Sequence, residues 1–155
     1  MSEVTVHRVL DSTLESVDHV ESLALDVAEK VGFRGVSLDH IVLAVHETIA
    51  NAVIHGNRYS SEKKVSVAIS IIENQFKVTI GDEGEGFDPR TINEPSSLHE
   101  LLRASGRGVY LSRSLMDEYK VQLRDTGGAE VTLIKYLQPP DFVGRQGLSS
   151  RAPKE

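Results

Sequence analysis

The chain has 155 residues, enough for one domain with a sizeable hydrophobic core and too few for two comfortable domains. Its 17 basic and 23 acidic residues give a formal net charge of −6, and no basic arm or stripe is visible, which argues against a dedicated nucleic-acid binder. Cysteine is absent, which excludes disulfides, thiolate zinc sites and cysteine nucleophiles. No apolar run approaches a membrane span and the N-terminus lacks the shape of a signal peptide, so we expect a cytoplasmic protein without membrane contact.

The first part of the chain shows one strand-like pattern followed by two helix-like patterns. Residues 4–10 are rich in β-branched side chains and predict a strand. Ser12 followed by Glu15 has the spacing of a capping box, which predicts that a first helix opens there. Ser37 is a plausible N-cap for a second helix that runs to about His55. Apolar residues recur at helical spacing through both segments, which supports the two helices.

A predicted hairpin and a long loop follow. Residues 64–72 and 75–82 both alternate apolar and polar side chains, and the short turn between them predicts a β-hairpin. Residues 83–105 hold two glycines, two prolines and few apolar side chains, so we expect a long loop with a short helix at residues 98–103. A loop of this length in a small domain is usually functional or mobile.

The end of the chain completes a recognisable order of elements. A third helix is predicted to begin after residues 106–108, and a final strand pair at residues 121–124 and 131–137. Residues 1–138 are therefore expected to form one domain, with residues 139–155 as a flexible tail. The order predicts an α+β fold, a two-layer sandwich with helices on one face of a mixed, mostly antiparallel sheet.

The second predicted helix is apolar on two opposite faces. Glu47 and Asn51 are four residues apart and therefore share one face. This face could belong to an ordinary amphipathic helix with two stray polar residues, or it could line a cleft in which a buried carboxylate and amide have a task. The stripe expected to lie on the sheet comprises Leu38, Ile41, Val45, Ile49, Ala52 and Val53. The apolar neighbours of Glu47 and Asn51 on the opposite face are Leu43, Ala44, Ala50 and Ile54.

Two further segments carry candidate binding groups. Asp82 continues the core-facing series of the second hairpin strand, so its carboxylate should point inward as an acceptor for a ligand amine, or cap a turn. Gly84 and Gly86 follow it and would let the backbone approach a flat ligand closely. Gly106 and Gly108 precede the third helix, where free backbone N–H groups can face a phosphate. Each of these signals is modest alone.

Taken together and in this order, the segments resemble known sequence boxes. Residues 46–57, 82–89 and 106–111 resemble the N, G1 and G2 boxes of the GHKL ATPases, a superfamily with a Bergerat-type ATP-binding fold. A lone domain of this size, with the stretch at residues 113–118, resembles the bacterial anti-sigma-factor serine/threonine kinases of partner-switching systems. The resemblance covers about residues 4–137, which is nearly all of the predicted ordered chain.

The resemblance implies a role for each matching residue. Asn51 would ligate Mg²⁺, and Glu47 would be the general base that accepts the proton of the attacking hydroxyl. Asp82 would accept a hydrogen bond from the adenine amino group of ATP. Gly84 and Gly86 would shape the nucleotide-binding turn.

The resemblance also implies how the phosphates are held. Gly106 and Gly108 would bring backbone N–H groups to them, and residues 88–105 would form a lid that orders over ATP. No lysine is present in this lid to serve the γ-phosphate. The candidates for that contact are three arginines: Arg90, Arg103 and Arg107.

Three functional hypotheses follow. The first is an ATP-dependent kinase that phosphorylates a serine or threonine of a small STAS-type antagonist protein (an anti-anti-sigma factor) and also binds a sigma factor or an equivalent regulator. The second is a nucleotide-binding switch that regulates partners by binding without phosphotransfer. The third is a plain α+β interaction domain without nucleotide. The intact Glu47 and the glycine boxes favour the kinase, and the resemblance is compatible with a homodimer.

Overall fold

A five-stranded sheet and a layer of helices make up the described part of the chain, residues 4–84 and 108–137 of a computed structural model. In chain order the elements are β1 (Val4–Asp11), α1 (Leu14–Val31), α2 (Gly35–Asn51), a π-helical turn (Ala52–Gly56), β2 (Lys64–Ile72), β3 (Gln75–Gly81), α3 (Gly108–Leu115), β4 (Glu118–Leu123) and β5 (Ala129–Tyr136). Outside the described residues lie the predicted short helix 98–103, the lid, the tail 139–155, Gly86, Arg90, Arg103, Gly106 and Arg107.

The strands are ordered β1-β2-β3-β5-β4, and each pairing among these five strands is antiparallel. The predicted two-layer α+β class is confirmed, while the described sheet contains no parallel pair of the kind that a mixed sheet would have. The predicted hairpin is also present, because Ile72 pairs with Gln75 across a turn at Glu73 and Asn74. Both turn residues have left-handed backbone angles, φ 50° and 72°, as a two-residue hairpin turn requires.

The core lies between the inner sheet face and helices α1 and α2. Alternate residues of β2 and β3 are buried, as the period of two predicts. The rings of Phe33 and Phe76 meet edge to face, with centroids 6.3 Å apart. The predicted stripe of α2 is buried from Ile41 to Val53, and burying each such side chain contributes about 1.5–3 kcal/mol.

The start of α1 differs from the capping-box prediction. Thr13, rather than Ser12, is the N-cap, and its hydroxyl accepts a hydrogen bond from the Ser16 backbone N–H at 3.2 Å. The Ser12 hydroxyl is used elsewhere, because it donates to the Lys63 carbonyl at 2.6 Å. The Ser12 hydroxyl therefore bonds to a residue far along the chain and does not cap α1.

Both ends of the second helix also differ from the prediction. Helix α2 begins two residues before Ser37, and Arg34 occupies the N-cap position without a side-chain hydrogen bond. The α-helical part ends at Asn51, and the last predicted turn is π-helical, with the Asn57 N–H donating to the Ala52 carbonyl at 2.8 Å. Such π-helical turns are frequent at functional sites.

Strand β4 starts earlier than its sequence pattern predicts. Glu118 pairs with Ile134 and Tyr119 with Leu133, so strand pairing extends β4 three residues beyond the predicted start. Pairing with a neighbouring strand outweighs the weak local preference of these residues. Within residues 4–84 and 108–137, no helix is long and apolar enough to cross a membrane.

Candidate functional site

Asp82 lies directly after β3 and points inward, as the strand alternation predicts. It is 8% exposed, and its Oδ1 accepts hydrogen bonds from the backbone N–H groups of Gly84 at 3.0 Å and Ala129 at 3.2 Å. Burial raises the pKa of Asp82, and the two N–H groups and the Arg124 guanidinium oppose that rise. Among the described residues no group donates a hydrogen bond to Oδ2, so this oxygen keeps its acceptor capacity.

Glycine backbone surrounds this carboxylate. A Cβ placed on Gly56 would lie 2.5 Å from Asp82 Oδ2, and a Cβ on Gly84 would lie 2.0 Å from the Gly56 carbonyl oxygen. The π-helical turn and the segment after β3 therefore pack backbone against backbone beside Asp82. Gly84 was predicted to admit a flat ligand, and the structure adds a packing reason for a glycine at this position.

Glu47 and Asn51 lie on the last two turns of α2. Both are half-buried, and neither side chain hydrogen-bonds or pairs with another residue in the described part of the chain. Asn51 directly precedes the π-helical turn whose last residue, Gly56, touches Asp82. The carboxylate, the amide and Asp82 are thus brought to the same end of α2.

Helix α3 packs on the second face of α2 through two buried hydroxyls. Ser112 Oγ and Thr48 Oγ1 are 3.2 Å apart, and both hydroxyls donate to the Ala44 carbonyl, at 3.3 Å and 2.8 Å. This face of α2 is therefore partly covered by α3 and partly left to Glu47 and Asn51. Of the two alternatives for this face, an ordinary solvent-facing surface does not fit the part that α3 covers, where Ala44 and Thr48 are buried.

The direction of α3 points its first residue toward the Asn51 end of α2. At the C-terminal end of α3, Lys135 donates to the Leu115 carbonyl and lies 3.3 Å from Nδ1 of His40, in the N-terminal half of α2. The two helices are therefore antiparallel. Gly108 starts α3 one turn before the hydroxyl pair, toward the Asn51 end of α2. The N-terminal end of a helix carries a partial positive charge that favours phosphate.

Residues without a role in the sequence analysis also build the site. Ala129, the first residue of β5, donates its backbone N–H to Asp82, and Arg124, directly after β4, donates from Nη1 to the Asp82 carbonyl at 2.9 Å. Gly128, with φ of 95°, would place a Cβ 2.1 Å from the same carbonyl. Asn57 is 1% exposed and its side chain hydrogen-bonds with Ser12, Lys64 and Glu83, which lie in three separate segments. The glycine pair before Ala129 signalled a turn, but nothing in the sequence indicated that the turn would contact Asp82.

The donor set at the end of α2 suits a magnesium ion bound together with a nucleotide. Mg²⁺ usually takes one or two protein oxygens and completes its shell with phosphate and water, and the free amide oxygen of Asn51 fits such a role. Within the described residues no group of three histidine, aspartate or glutamate side chains could hold a metal ion alone. The roles assigned to Glu47, Asn51, Asp82 and the glycines stay predictions.

Comparison with known proteins assigns the chain to a family. Two curated relatives are both named serine-protein kinase RsbW: the Bacillus velezensis protein is 33% identical over 120 residues and the Bacillus subtilis protein 32%, each covering 72% of both chains. The crystal structure of the RsbU and RsbW domains of Rv1364c from Mycobacterium tuberculosis superposes with a TM-score of 0.62 at 20% identity, over 86% of this chain and 32% of that one. The catalytic domain of histidine kinase ThkA gives 0.54 at 12% identity, over 90% and 99%. Residues 10–135 match the histidine kinase-like ATPase domain, and the chain belongs to that family.

Proposed function

We propose that this chain is an ATP- and Mg²⁺-dependent protein serine/threonine kinase of the cytoplasm. Its substrate is a small STAS-type antagonist protein, and it also binds a sigma factor or an equivalent regulator. The family match and the kinase names of the relatives support this proposal. The observation that carries it is the position of Glu47 and Asn51, both without partners among the described residues, at the end of α2 that leads into the π-helical turn against Asp82.

Nucleotide binding uses the polar groups at this end of α2. Asp82 Oδ2 accepts the hydrogen bond of the adenine amino group, because Oδ1 is already committed to two backbone N–H groups. Asn51 offers its amide oxygen to Mg²⁺, which supplies charge neutralisation at the phosphates when bound. The start of α3 at Gly108 places a helix N-terminus toward the same end.

Phosphoryl transfer then needs one further group from the chain. Glu47 takes the proton of the substrate hydroxyl while the hydroxyl oxygen bonds to the γ-phosphorus. The bond between that phosphorus and the bridging oxygen of ADP breaks, and ADP leaves. In this type of reaction, positioning and charge stabilisation provide most of the rate enhancement.

The test is transfer from labelled ATP and Mg²⁺ to the antagonist, in wild type and in Glu47→Gln. The substitution keeps the size of the side chain and removes its basicity, so we expect transfer to fall about 100-fold or more. ATP affinity, measured by calorimetry, should stay within about twofold of wild type because Asp82 and Asn51 are untouched. Glu62→Gln, at an exposed position between α2 and β2, is the matched control and should transfer normally. Unchanged transfer in Glu47→Gln would refute the assignment of the base.

The binding-switch hypothesis gives a different result in the same assay. It predicts measurable ATP affinity with no transfer from the wild-type protein to any antagonist. A homodimer belongs to the proposed function, and sedimentation of the purified chain with and without ATP tests that part separately. Pull-down of candidate sigma factors in the ATP and ADP states tests the anti-sigma part.

A further inference from the structure

We infer that Asn57 is a positioning residue for adenine recognition, which rests on the proposed role of Asp82. Asn57 directly follows the π-helical turn and is 1% exposed. Its Oδ1 accepts a hydrogen bond from the Glu83 backbone N–H at 2.7 Å. This bond joins the residue after Gly56 to the residue before Gly84, beside the place where those two glycines touch.

The other side of the amide is anchored equally firmly. Asn57 Nδ2 donates to the Lys64 carbonyl at 3.0 Å and to the Ser12 hydroxyl at 2.8 Å, and that hydroxyl donates in turn to the Lys63 carbonyl. The Glu83 carboxylate accepts from the Lys64 N–H at 2.7 Å, which closes a ring of three hydrogen-bonded residues. Two acceptors on one side and an N–H donor on the other fix the orientation of the amide.

This ring sets the distance between the π-helical turn and the Asp82 segment. Asp82 Oδ2 lies against Gly56, and the adenine amino group must enter at that oxygen. If the Glu83 N–H lost its bond to Asn57, the segment from Asp82 to Gly84 would lose its direct hydrogen bond to the residue after the π-helical turn. The position of Oδ2 relative to Gly56 would then depend on the contacts of Asp82 with β5 alone. Asn57 thus acts on the nucleotide through Asp82 and needs no contact with it.

The experiment compares ATP with purine riboside 5′-triphosphate, which lacks the amino group that Asp82 would recognise. Calorimetry on the full chain should show that wild type prefers ATP by about tenfold or more, and that Asn57→Ala reduces the preference to within about twofold. Ser12→Ala removes a bond on the far side of the amide and should lose thermal stability without losing the preference.

A merely structural asparagine would give a different pattern. The Asn57→Ala protein would then be less stable yet keep the wild-type preference for ATP, and that result would overturn the inference. If Asn57→Ala does not fold, Asn57→Ser, whose hydroxyl is too short to reach Glu83, carries the same expectation.

The design separates this inference from the proposed function. A wild-type protein that binds both triphosphates equally contradicts the role of Asp82 itself. A wild-type protein that discriminates, together with an Asn57→Ala variant that also discriminates, contradicts only the positioning role. Asp82→Asn combined with Asn57→Ala should lower the preference no further than Asp82→Asn alone, since both substitutions act on one hydrogen bond.

Discussion

Replacing Gly84 with alanine tests the backbone contact beside Asp82. A Cβ at this position would lie 2.0 Å from the Gly56 carbonyl oxygen, whereas real Cβ atoms essentially never approach closer than 3.0 Å. The segment after β3 must therefore move by at least about 1 Å. A shift of that size stretches the 2.7 Å bond between the Glu83 N–H and Asn57 beyond hydrogen-bond length.

The energetic cost follows from these two effects. Overpacking against rigid backbone costs about 1–3 kcal/mol, and a buried hydrogen bond lost without replacement costs about 1–3 kcal/mol, so we expect the free energy of unfolding to fall by about 2–6 kcal/mol in Gly84→Ala. In a chain of this size that lowers the melting temperature by roughly 5–20 °C. ATP affinity should fall about tenfold or more, because the Asp82 carboxylate moves with the segment.

Thermal unfolding by circular dichroism and ATP titration by calorimetry measure both effects. Gly35→Ala is the matched control: its φ is 59°, but nothing lies within 4 Å of the added Cβ. Gly35→Ala should lower the free energy of unfolding by about 1 kcal/mol, because alanine must adopt a left-handed backbone conformation there. It should leave ATP affinity unchanged. A Gly84→Ala protein that melts within about 2 °C of wild type and binds ATP normally would refute the reasoning.

Three other predictions concern titration and packing. Asp82→Asn should be more stable than wild type at neutral pH, because burial raises the pKa of Asp82 and the charged carboxylate therefore lowers the stability of the wild-type protein. The difference should develop as pH rises from the ordinary aspartate pKa of 3.8 through the raised pKa. ATP affinity of this variant should fall. Burial raises the pKa of Tyr119 to about 12 from 10.0, so wild-type stability should decrease above about pH 10. Urea unfolding of Tyr119→Phe should show a smaller decrease, and parallel curves would contradict this. Ser112→Ala should lower the free energy of unfolding by about 1 kcal/mol, because the Ser112 hydroxyl donates a hydrogen bond from α3 to the Ala44 carbonyl. An unchanged melting temperature would contradict a stabilising role for that contact.

The sequence was most informative where structure follows from local periodicity. Alternation in β2 and β3 predicted which side chains are buried, and the double apolar character of α2 indicated that both of its faces are used. The period of the side chains is set by the backbone geometry of each element, so it can be read without the rest of the fold. The order of the three boxes added the family, which the comparison confirms.

Local rules were wrong where a distant residue competed for the same group. Ser12 has the spacing of a capping box with Glu15, but its hydroxyl instead accepts a hydrogen bond from Asn57, 45 residues away. Such competition depends on which segments the fold brings together, and a single helix pattern carries no information about it.

The candidate site also combines features that the sequence predicted with features that only the structure shows. The sequence by itself determined that Glu47 and Asn51 share one helix face and that Asp82 points inward at the end of a strand. Only the tertiary structure decided that Oδ1 of Asp82 is held by Ala129, 47 residues away, and that Oδ2 remains available beside Gly56. The physical reason is the sequence distance over which each feature is set. Residue spacing determines which way side chains point within one helix or strand. Which oxygen of a buried carboxylate stays free depends on backbone N–H groups that other elements supply.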